Sequence, residues 1–209
     1  MDQDFINTLV ELREKEALKF VEDRLNGGED PLNILDDARR AVEVVGKRFA
    51  DGKYFIPELI YSGEILKAIT ERVKPKMARG RETKRLGKVI IGTVAGDIHD
   101  IGKDIVVFML DVNGFEVVDL GIDVPAERFV DAIKASGSRV VGLSGFLTLT
   151  FQSMKDTVEA IKEAGLRDRV KIMIGGGQID EQVRIFSEAD AYGRDAMTAV
   201  TLAKAWIGG

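Results

Sequence analysis

The chain has 209 residues, of which 45% are apolar, and a formal net charge of −5. The apolar content suffices for a buried core, and the acidic balance argues against nucleic acid as a partner because phosphate binding requires a basic surface. Cysteine is absent, which excludes disulfides, thiolate metal sites and cysteine nucleophiles.

The first residues, Met1-Asp2-Gln3-Asp4, lack the basic and apolar regions of a signal peptide. No apolar stretch approaches the roughly 18 residues that a membrane-spanning helix needs. The sequence therefore predicts a cytoplasmic protein with no membrane partner.

Residues 1–75 have apolar side chains at helical spacing, which predicts a small cap bundle of four helices. Asp30-Pro31 is typical of a helix start, since a carboxylate there caps backbone amides and proline suits the first helical position. A basic linker over 76–87 follows, within a stretch from Arg72 to Lys88 that has eight basic residues and one acid. Such a stretch is either a solvated linker or a hinge that touches an acidic partner surface.

Residues 88–209 alternate short β-rich runs with helical segments, around 102–113, 125–136, 151–165, 179–187 and 195–207. Strands are expected near 89–91, 115–118, 140–143, 170–174 and, more weakly, 189–192. Because these strands are apolar on both faces, they predict a parallel sheet covered by helices on both sides. Five such units favour an α/β fold with a flavodoxin-like, doubly wound five-stranded sheet. In that fold ligands bind beyond the carboxyl ends of the first and third strands.

Three polar or glycine-rich loops follow the predicted strands. Asp97–Gly102, which contains the only histidine of the chain, His99, comes after the first strand; Ser144–Thr148 comes after the third and Gly175–Gly177 after the fourth. Each also has a purely structural explanation, because Asp97 suits a turn or helix cap and the glycines suit a tight turn. A phosphate cradle is disfavoured, since no G-x-G-x-x-G or G-K-[ST] pattern occurs. All three loops are expected at one edge of the sheet, which favours a shared binding site.

The ordered set Asp97-x-His99-x-x-Gly102, Ser144-x-Phe146 and Gly175-Gly176 resembles the DxHxxG…SxL…GG signature of cobalamin-binding domains. The segment 52–59, in the helical part, is similar to the cap module of corrinoid proteins that serve methyltransferase systems. The chain departs from the signature at Phe146, where leucine is usual. Phe146 is still expected to line a pocket, with a different fit around the cofactor's buried nucleotide tail.

The resemblance implies cobalamin bound base-off, with His99 as the lower axial ligand of cobalt in place of the cofactor's own base. Asp97 would accept a hydrogen bond from the other ring nitrogen, and Thr150 aligns with a hydroxyl residue that extends this relay. Ser144 would bond the buried base and Thr148 would contact the corrin edge. The other implied cofactor-binding residues are Asp100, Ile101, Gly102, Phe146, Gly175, Gly176 and Gly177.

The function implied by the resemblance is methyl carriage on the cobalt of the corrinoid. A donor-specific substrate:corrinoid methyltransferase would load the methyl group, and a methylcorrinoid:acceptor methyltransferase would transfer it to a pterin or thiol. A reductive activase would restore the Co(I) state. The chain would be a component of this system and not catalytic alone. In the cap, Tyr54, Phe55, Leu59 and Met77 are expected to shield the methyl face.

Three alternatives share parts of this pattern. A flavodoxin-like redox module would place a flavin in the same crevice, and an adenosylcobalamin mutase subunit would share the lower-face residues. A cobalamin-dependent sensor would share the cap and the binding domain. Such sensors resemble this chain less, since they have a Trp and a Glu-His pair in the cap, whereas Trp206 and His99 are the only such residues here.

Overall fold

The secondary structure is described for residues 2–76, 85–177 and 179–208 of a computed structural model. The chain divides into two units, residues 1–84 and 85–209. Of the basic linker expected over 76–87, residues 77–84 lie outside the described residues. The boundaries 1–75, 76–87 and 88–209 therefore stay a prediction.

The first unit contains the four predicted helices: α1 (Gln3–Val10), α2 (Glu14–Asn26), α3 (Pro31–Ala50) and α4 (Ile56–Val73), followed by a 3₁₀ turn (Lys74–Lys76). The Asp30 carboxylate accepts the Leu32 amide at the start of α3, with Pro31 at the first position as expected. The side chains that share the bundle core include Phe5, Leu9, Ile34, Leu59, Ile65 and Ile69. The helical interpretation of this part of the chain is confirmed.

The second unit is built on five parallel strands: β1 (Lys88–Thr93), β2 (Glu116–Asp119), β3 (Val140–Ser144), β4 (Lys171–Gly175) and β5 (Ala191–Gly193). Their order in the sheet is β2-β1-β3-β4-β5. The helices between and after them are α5 (Ile101–Val112), α6 (Ala126–Ser136), α7 (Thr150–Glu163), α8 (Glu181–Ser187) and α9 (Ala196–Ile207). This is the doubly wound, flavodoxin-like arrangement that the sequence predicts.

The central strands β1, β3 and β4 are apolar and buried along most of their length. Helices α5 and α9 pack together, as do α6 and α7, so each pair covers sheet surface. No helix in the described residues has both the length and the apolar content needed to cross a membrane.

The fifth strand starts later than the sequence suggested. Asp190 lies just before it, where its carboxylate accepts the Ile172 amide at 2.8 Å and its own amide donates to the Ile172 carbonyl at 2.9 Å. Asp190 is therefore bonded to Ile172 near the start of β4, and the regular pairing of β5 with β4 begins one residue later, at Ala191.

The register of the sheet brings the three loops together. Thr93 of β1 pairs with Ser144 of β3, and Ser144 pairs with Gly175 of β4. Because all three strands are parallel, their carboxyl ends lie at the same edge of the sheet. At this edge β1 and β3 are neighbours, and the chain continues from β1 to β2 on one side and from β3 to β4 on the other. The switch point predicted from the sequence is confirmed.

Candidate functional site

The loop after β1 is organised around the buried carboxylate of Asp97, which is 1% exposed. Its Oδ1 accepts the His99 backbone amide at 2.9 Å and lies 2.6 Å from the His99 ring atom Nδ1. Its Oδ2 accepts the backbone amides of Phe146 at 2.6 Å and Leu147 at 3.3 Å. One carboxylate therefore holds the imidazole and ties the loop after β1 to the loop after β3.

The charge of Asp97 determines which ring nitrogen of His99 has the proton. Burial by itself raises the pKa of Asp97, but the hydrogen bonds from His99, Phe146 and Leu147 outweigh it and lower the pKa to about 2. Asp97 is thus ionised at neutral pH and can only accept, so Nδ1 must be the donor. The neutral ring then has its lone pair on Nε2, for which no described residue provides a hydrogen bond. The side chain is 50% exposed, which leaves this lone pair available to a ligand.

Thr93, which the sequence interpretation did not single out, holds the backbone of His99. Its side chain is fully buried, and its hydroxyl donates to the His99 carbonyl at 3.3 Å. The only signal in the sequence is a polar residue at the end of an apolar strand. Thr93 therefore contributes to the position of the ring without facing the crevice.

Phe146 packs against the imidazole. The two ring centroids are 4.7 Å apart with an interplanar angle of 31°. The Phe146 ring also lies so close to Gly177 that a Cβ atom at Gly177 would overlap it. His99, Phe146 and Gly177 are thus in one place, as the sequence predicted, and the aromatic ring supports the imidazole directly.

The predicted glycines meet different steric demands. Gly176 has φ 144°, and a Cβ atom there would clash with the carbonyl oxygen of Gly145, so the protein's own backbone requires glycine. At Gly175 the nearest atom to an added Cβ would be the Gly193 oxygen at 3.6 Å, an ordinary contact. An added Cβ on Gly102 would meet nothing within 4 Å, so the space beside it is open.

The hydroxyl residues of the loop after β3 differ from one another. The relay expected from Asp97 to Thr150 is not a direct contact, because the buried Thr150 hydroxyl donates to the Leu147 carbonyl at 2.6 Å. The Leu147 amide in turn donates to Asp97, so Thr150 and Asp97 are linked only through the backbone of Leu147, by its carbonyl on one side and its amide on the other. The half-buried Ser144 hydroxyl has no hydrogen bond from the described residues, and Thr148 is exposed.

Two more predicted residues begin α5. Asp100 is the N-cap residue of this helix, where its side chain makes no capping bond and its carbonyl accepts the Asp104 amide at 2.7 Å. Ile101, the next residue, is 70% exposed. Ile101 therefore offers an apolar side chain to a ligand, whereas the observed role of Asp100 is in the helix start.

Exposed apolar side chains surround the carboxyl edge, and most of them were missed by the sequence interpretation. They come from the loops after β1, β2 and β3, and Leu149 is the most exposed at 82%. Large exposed apolar groups on neighbouring loops are typical of a ligand or partner surface. The side chains that form this apolar rim are Ile98, Ile101, Ile122, Phe146, Leu147 and Leu149.

In the helical unit, the four residues expected to shield a bound methyl group have different environments. Phe55 is 67% exposed, whereas Leu59 is 1% exposed and belongs to the bundle core. The Tyr54 hydroxyl donates to the Val10 carbonyl at 2.8 Å and accepts from Arg48. Met77 lies outside the described residues. Ile56 and Ile60 on α4, which were not among the residues expected to shield the methyl group, are also exposed.

Two family models match the chain. A model described as a B12 binding domain matches residues 87–201. A second model with the same description matches residues 1–74. Together the two models account for both units.

Similar proteins are found among curated sequences and solved structures. The chain is 41% identical to trimethylamine corrinoid protein 2 of Methanosarcina mazei over 95% of this chain and 92% of the relative. A crystal structure of a cobalamin-binding protein from Desulfitobacterium hafniense matches with a TM-score of 0.84 and 37% identity, over 97% of each chain. The methanol:cobalamin methyltransferase complex of Methanosarcina barkeri contains a chain that matches with a TM-score of 0.79 and 28% identity, over 100% of this chain and 81% of that one.

Proposed function

This chain belongs to the family of B12-binding proteins, as a corrinoid protein of methyltransferase systems, and on that premise we propose that it carries a methyl group on a corrinoid held by His99. The observation that carries the proposal is the Asp97–His99 pair. Nδ1 of the imidazole is hydrogen-bonded to the buried carboxylate, whereas Nε2 makes no hydrogen bond to the described residues.

The residues at this edge suit a corrinoid. A corrinoid would bring its metal already held by the macrocycle, so this site would need to supply only one nitrogen, which would be Nε2 of His99. The apolar rim would suit the flat, largely apolar surface of a large macrocycle. The half-buried Ser144 hydroxyl, which lacks a partner among the described residues, is available to a nucleotide base.

A bound corrinoid supplies a cobalt that can accept a methyl group from one partner and release it to another. Asp97 fixes the tautomer of His99 and orients its ring, so that the lone pair of Nε2 would face the metal. The buried negative charge of Asp97 would also compensate part of the positive charge of a metal bound at Nε2.

The remaining site residues are proposed in supporting roles. Ile101 and Phe146 would contact the cofactor through their exposed apolar surface, and the open space beside Gly102 would admit its tail. Thr148, which is exposed in the loop after β3, would contact the corrin edge. The backbone at Gly175–Gly177 would form the far wall of the crevice.

The proposed partners are a donor-specific methyltransferase, an acceptor methyltransferase and a reductive activase. Support comes from the solved relative, which belongs to a methanol:cobalamin methyltransferase complex, and from the curated relative, which is named for trimethylamine. The two names share a corrinoid or cobalamin and a methylated compound, which is the combination that a methyl carrier would serve. Donor choice would reside in the partner that loads the methyl group.

The ligand assignment can be tested by electron paramagnetic resonance of the full chain loaded with hydroxocobalamin and reduced to Co(II). We expect superhyperfine splitting into a triplet from one axial ¹⁴N. Because His99 is the only histidine of the chain, growth with ¹⁵N-histidine should convert this triplet to a doublet. A triplet that persists after labelling would mean that the cofactor's own base is the ligand, and the proposal would be wrong.

The matched variants are His99→Gln, which removes the imidazole, and Glu159→Gln, an exposed position on α7. The first should abolish the labelled doublet and the second should retain it. The carrier role has its own test: the holoprotein alone should not demethylate a methyl donor, and should do so only with a methyltransferase added. Turnover by the isolated holoprotein at the rate of the complete system would contradict the carrier role.

A further inference from the structure

We propose that Asp123 is a positioning residue for His99, through the turn that carries Asp97. The proposal rests on the function proposed above, since its value to the protein is a correctly placed axial nitrogen. The sequence interpretation gave Asp123 no role. It is exposed, and it lies in the loop between β2 and α6 rather than in any of the three signature loops.

The backbone of Asp123 is in the left-handed region, with φ 51°, which is uncommon for a residue other than glycine. From this conformation it makes two hydrogen bonds to the neighbouring loop. Its amide donates to the Asp97 carbonyl at 2.9 Å, and its Oδ1 accepts the Gly96 amide at 2.8 Å. Main chain and side chain of one residue therefore hold the two residues that begin the His99 loop.

Regular pairing leads up to this contact. The Thr93 amide donates to the Gly121 carbonyl at 3.0 Å, and the Val124 amide donates to the Thr93 carbonyl at 2.9 Å. Val94 and Val124 form an isolated parallel bridge. The loop after β2 thus runs beside the extension of β1, and Asp123 is the residue of this segment that reaches the turn at Gly96, whose own φ is 83°.

A strained backbone conformation persists only where surrounding contacts compensate for it, and such residues cluster at functional sites. At Asp123 both compensating bonds are to the turn that presents Asp97, whose carboxylate in turn holds the imidazole. The side chain forms no ion pair among the described residues, so its role is that of a hydrogen-bond acceptor. A displacement of this turn would move Asp97 and His99 together.

Three substitutions separate the backbone conformation from the side-chain bond. Asp123→Asn keeps an acceptor and a residue that tolerates the left-handed region. Asp123→Gly keeps the conformation and removes the acceptor, and Asp123→Ala removes the acceptor and adds strain. The first arm uses the full chain without cofactor and measures hydrogen exchange of the Gly96 amide by NMR. The second arm measures the dissociation constant for hydroxocobalamin and the share of the Co(II) spectrum with ¹⁵N-His99 splitting.

We expect Asp123→Gly to speed exchange at Gly96 and to weaken hydroxocobalamin binding by roughly three- to tenfold, the range of one hydrogen bond. Asp123→Ala should increase both the exchange rate and the dissociation constant further, and in Asp123→Asn both should stay within about twofold of the natural chain. The share of Co(II) with nitrogen splitting should decrease from the Asn to the Gly to the Ala variant. The melting temperatures of the Asn and Gly variants should stay close to that of the natural chain.

Normal exchange at Gly96 in both the Gly and Ala variants, or full nitrogen splitting in both, would overturn the proposal. An Asn variant as damaged as the Gly variant would also overturn it, because an acceptor would then not be the relevant feature. If the natural chain itself shows no splitting from His99, the ligand assignment fails instead. The arm without cofactor then still decides whether Asp123 holds the turn.

Discussion

Among the residues that the structure describes, each unit buries one carboxylate in a hydrogen-bonded acid–base pair, and the two pairs differ in how far the partner side chain is exposed. Asp37, in the helical unit, is 4% exposed, and its Oδ2 accepts from Arg24 at 2.9 Å and from the Asp2 amide at 3.1 Å. Asp97, in the α/β unit, is as deeply buried but is paired with an imidazole that is half exposed. The first pair is closed within the protein, and the second opens to a ligand.

Arg24 shows how the closed pair works. It makes two further hydrogen bonds to Glu29, and its guanidinium lies 5.2 Å from the centre of the Phe5 ring. Its remaining nitrogen, Nη1, is buried and has no hydrogen-bond partner among the described residues. The bond to Glu29 raises the pKa of Arg24, so the cation is permanent. The two pairs thus differ in their partner side chains, since that of Arg24 is 9% exposed and that of His99 is 50% exposed.

The largest expected effect is on the closed pair. Arg24→Ala should destabilise the helical unit by about 3–5 kcal/mol, because it leaves Asp37 buried without a counter-charge. Hydrogen exchange of the α1–α3 amides would measure this loss. The control is Arg13→Ala, since Arg13 pairs with Glu16 on the surface and should contribute about 0–1 kcal/mol. A loss under 1 kcal/mol in the Arg24 variant would show that the pair is not what holds these helices.

The next effect is on the open pair in the protein without cofactor. Asp97→Asn should cost about 2–3 kcal/mol at neutral pH, since the amide accepts more weakly and its NH₂ opposes the donors around it. The lowered pKa makes this stabilisation pH-dependent in a defined direction. It is fully present above the ordinary pKa of Asp, near 3.8, and is lost as the pH falls through the folded value of about 2.

The difference in unfolding free energy between the natural chain and Asp97→Asn should therefore be constant above pH 5 or so and shrink between about pH 4 and pH 2. Urea unfolding followed by the fluorescence of Trp206, the only tryptophan, reports on the α/β unit. Asp168→Asn, at an exposed position, is the control and should show no such window. A difference that stays constant down to pH 2 would show that Asp97 is not held ionised.

The smallest expected effect comes from removing the Thr93 hydroxyl, which bonds the backbone of His99 in the open pair. Thr93→Val keeps the shape of the side chain and removes the bond to the His99 carbonyl, which at 3.3 Å is long. The expected loss is about 0.5–1 kcal/mol, measured by the same Trp206 fluorescence. Thr201→Val should cost less, because the Thr201 hydroxyl bonds only a carbonyl of its own helix. An equal loss in the two variants would mean that Thr93 has no special part in holding the loop.

The features that could be predicted from the sequence are those set by neighbours along the chain. Helix α3 starts where Asp30-Pro31 places it, and four strands lie within a residue or two of their apolar runs. The Asp97–His99 pair could be predicted because two residues so close in sequence can meet within one loop. The late start of β5 could not, since it depends on Asp190 bonding to Ile172 of another strand.

The sequence by itself determined that a helical part precedes an α/β part, and it singled out His99 as the candidate ligand, because periodicity, caps and a single histidine are local facts. Only the tertiary structure decided what holds that histidine. The amides of Phe146 and Leu147 and the backbone of Asp123 reach the His99 loop from distant parts of the chain, and the hydroxyl of Thr93 reaches it from the end of the preceding strand. Parallel strands bring these groups to one edge, and hydrogen bonds between loops of separate strands have no periodic signal in sequence.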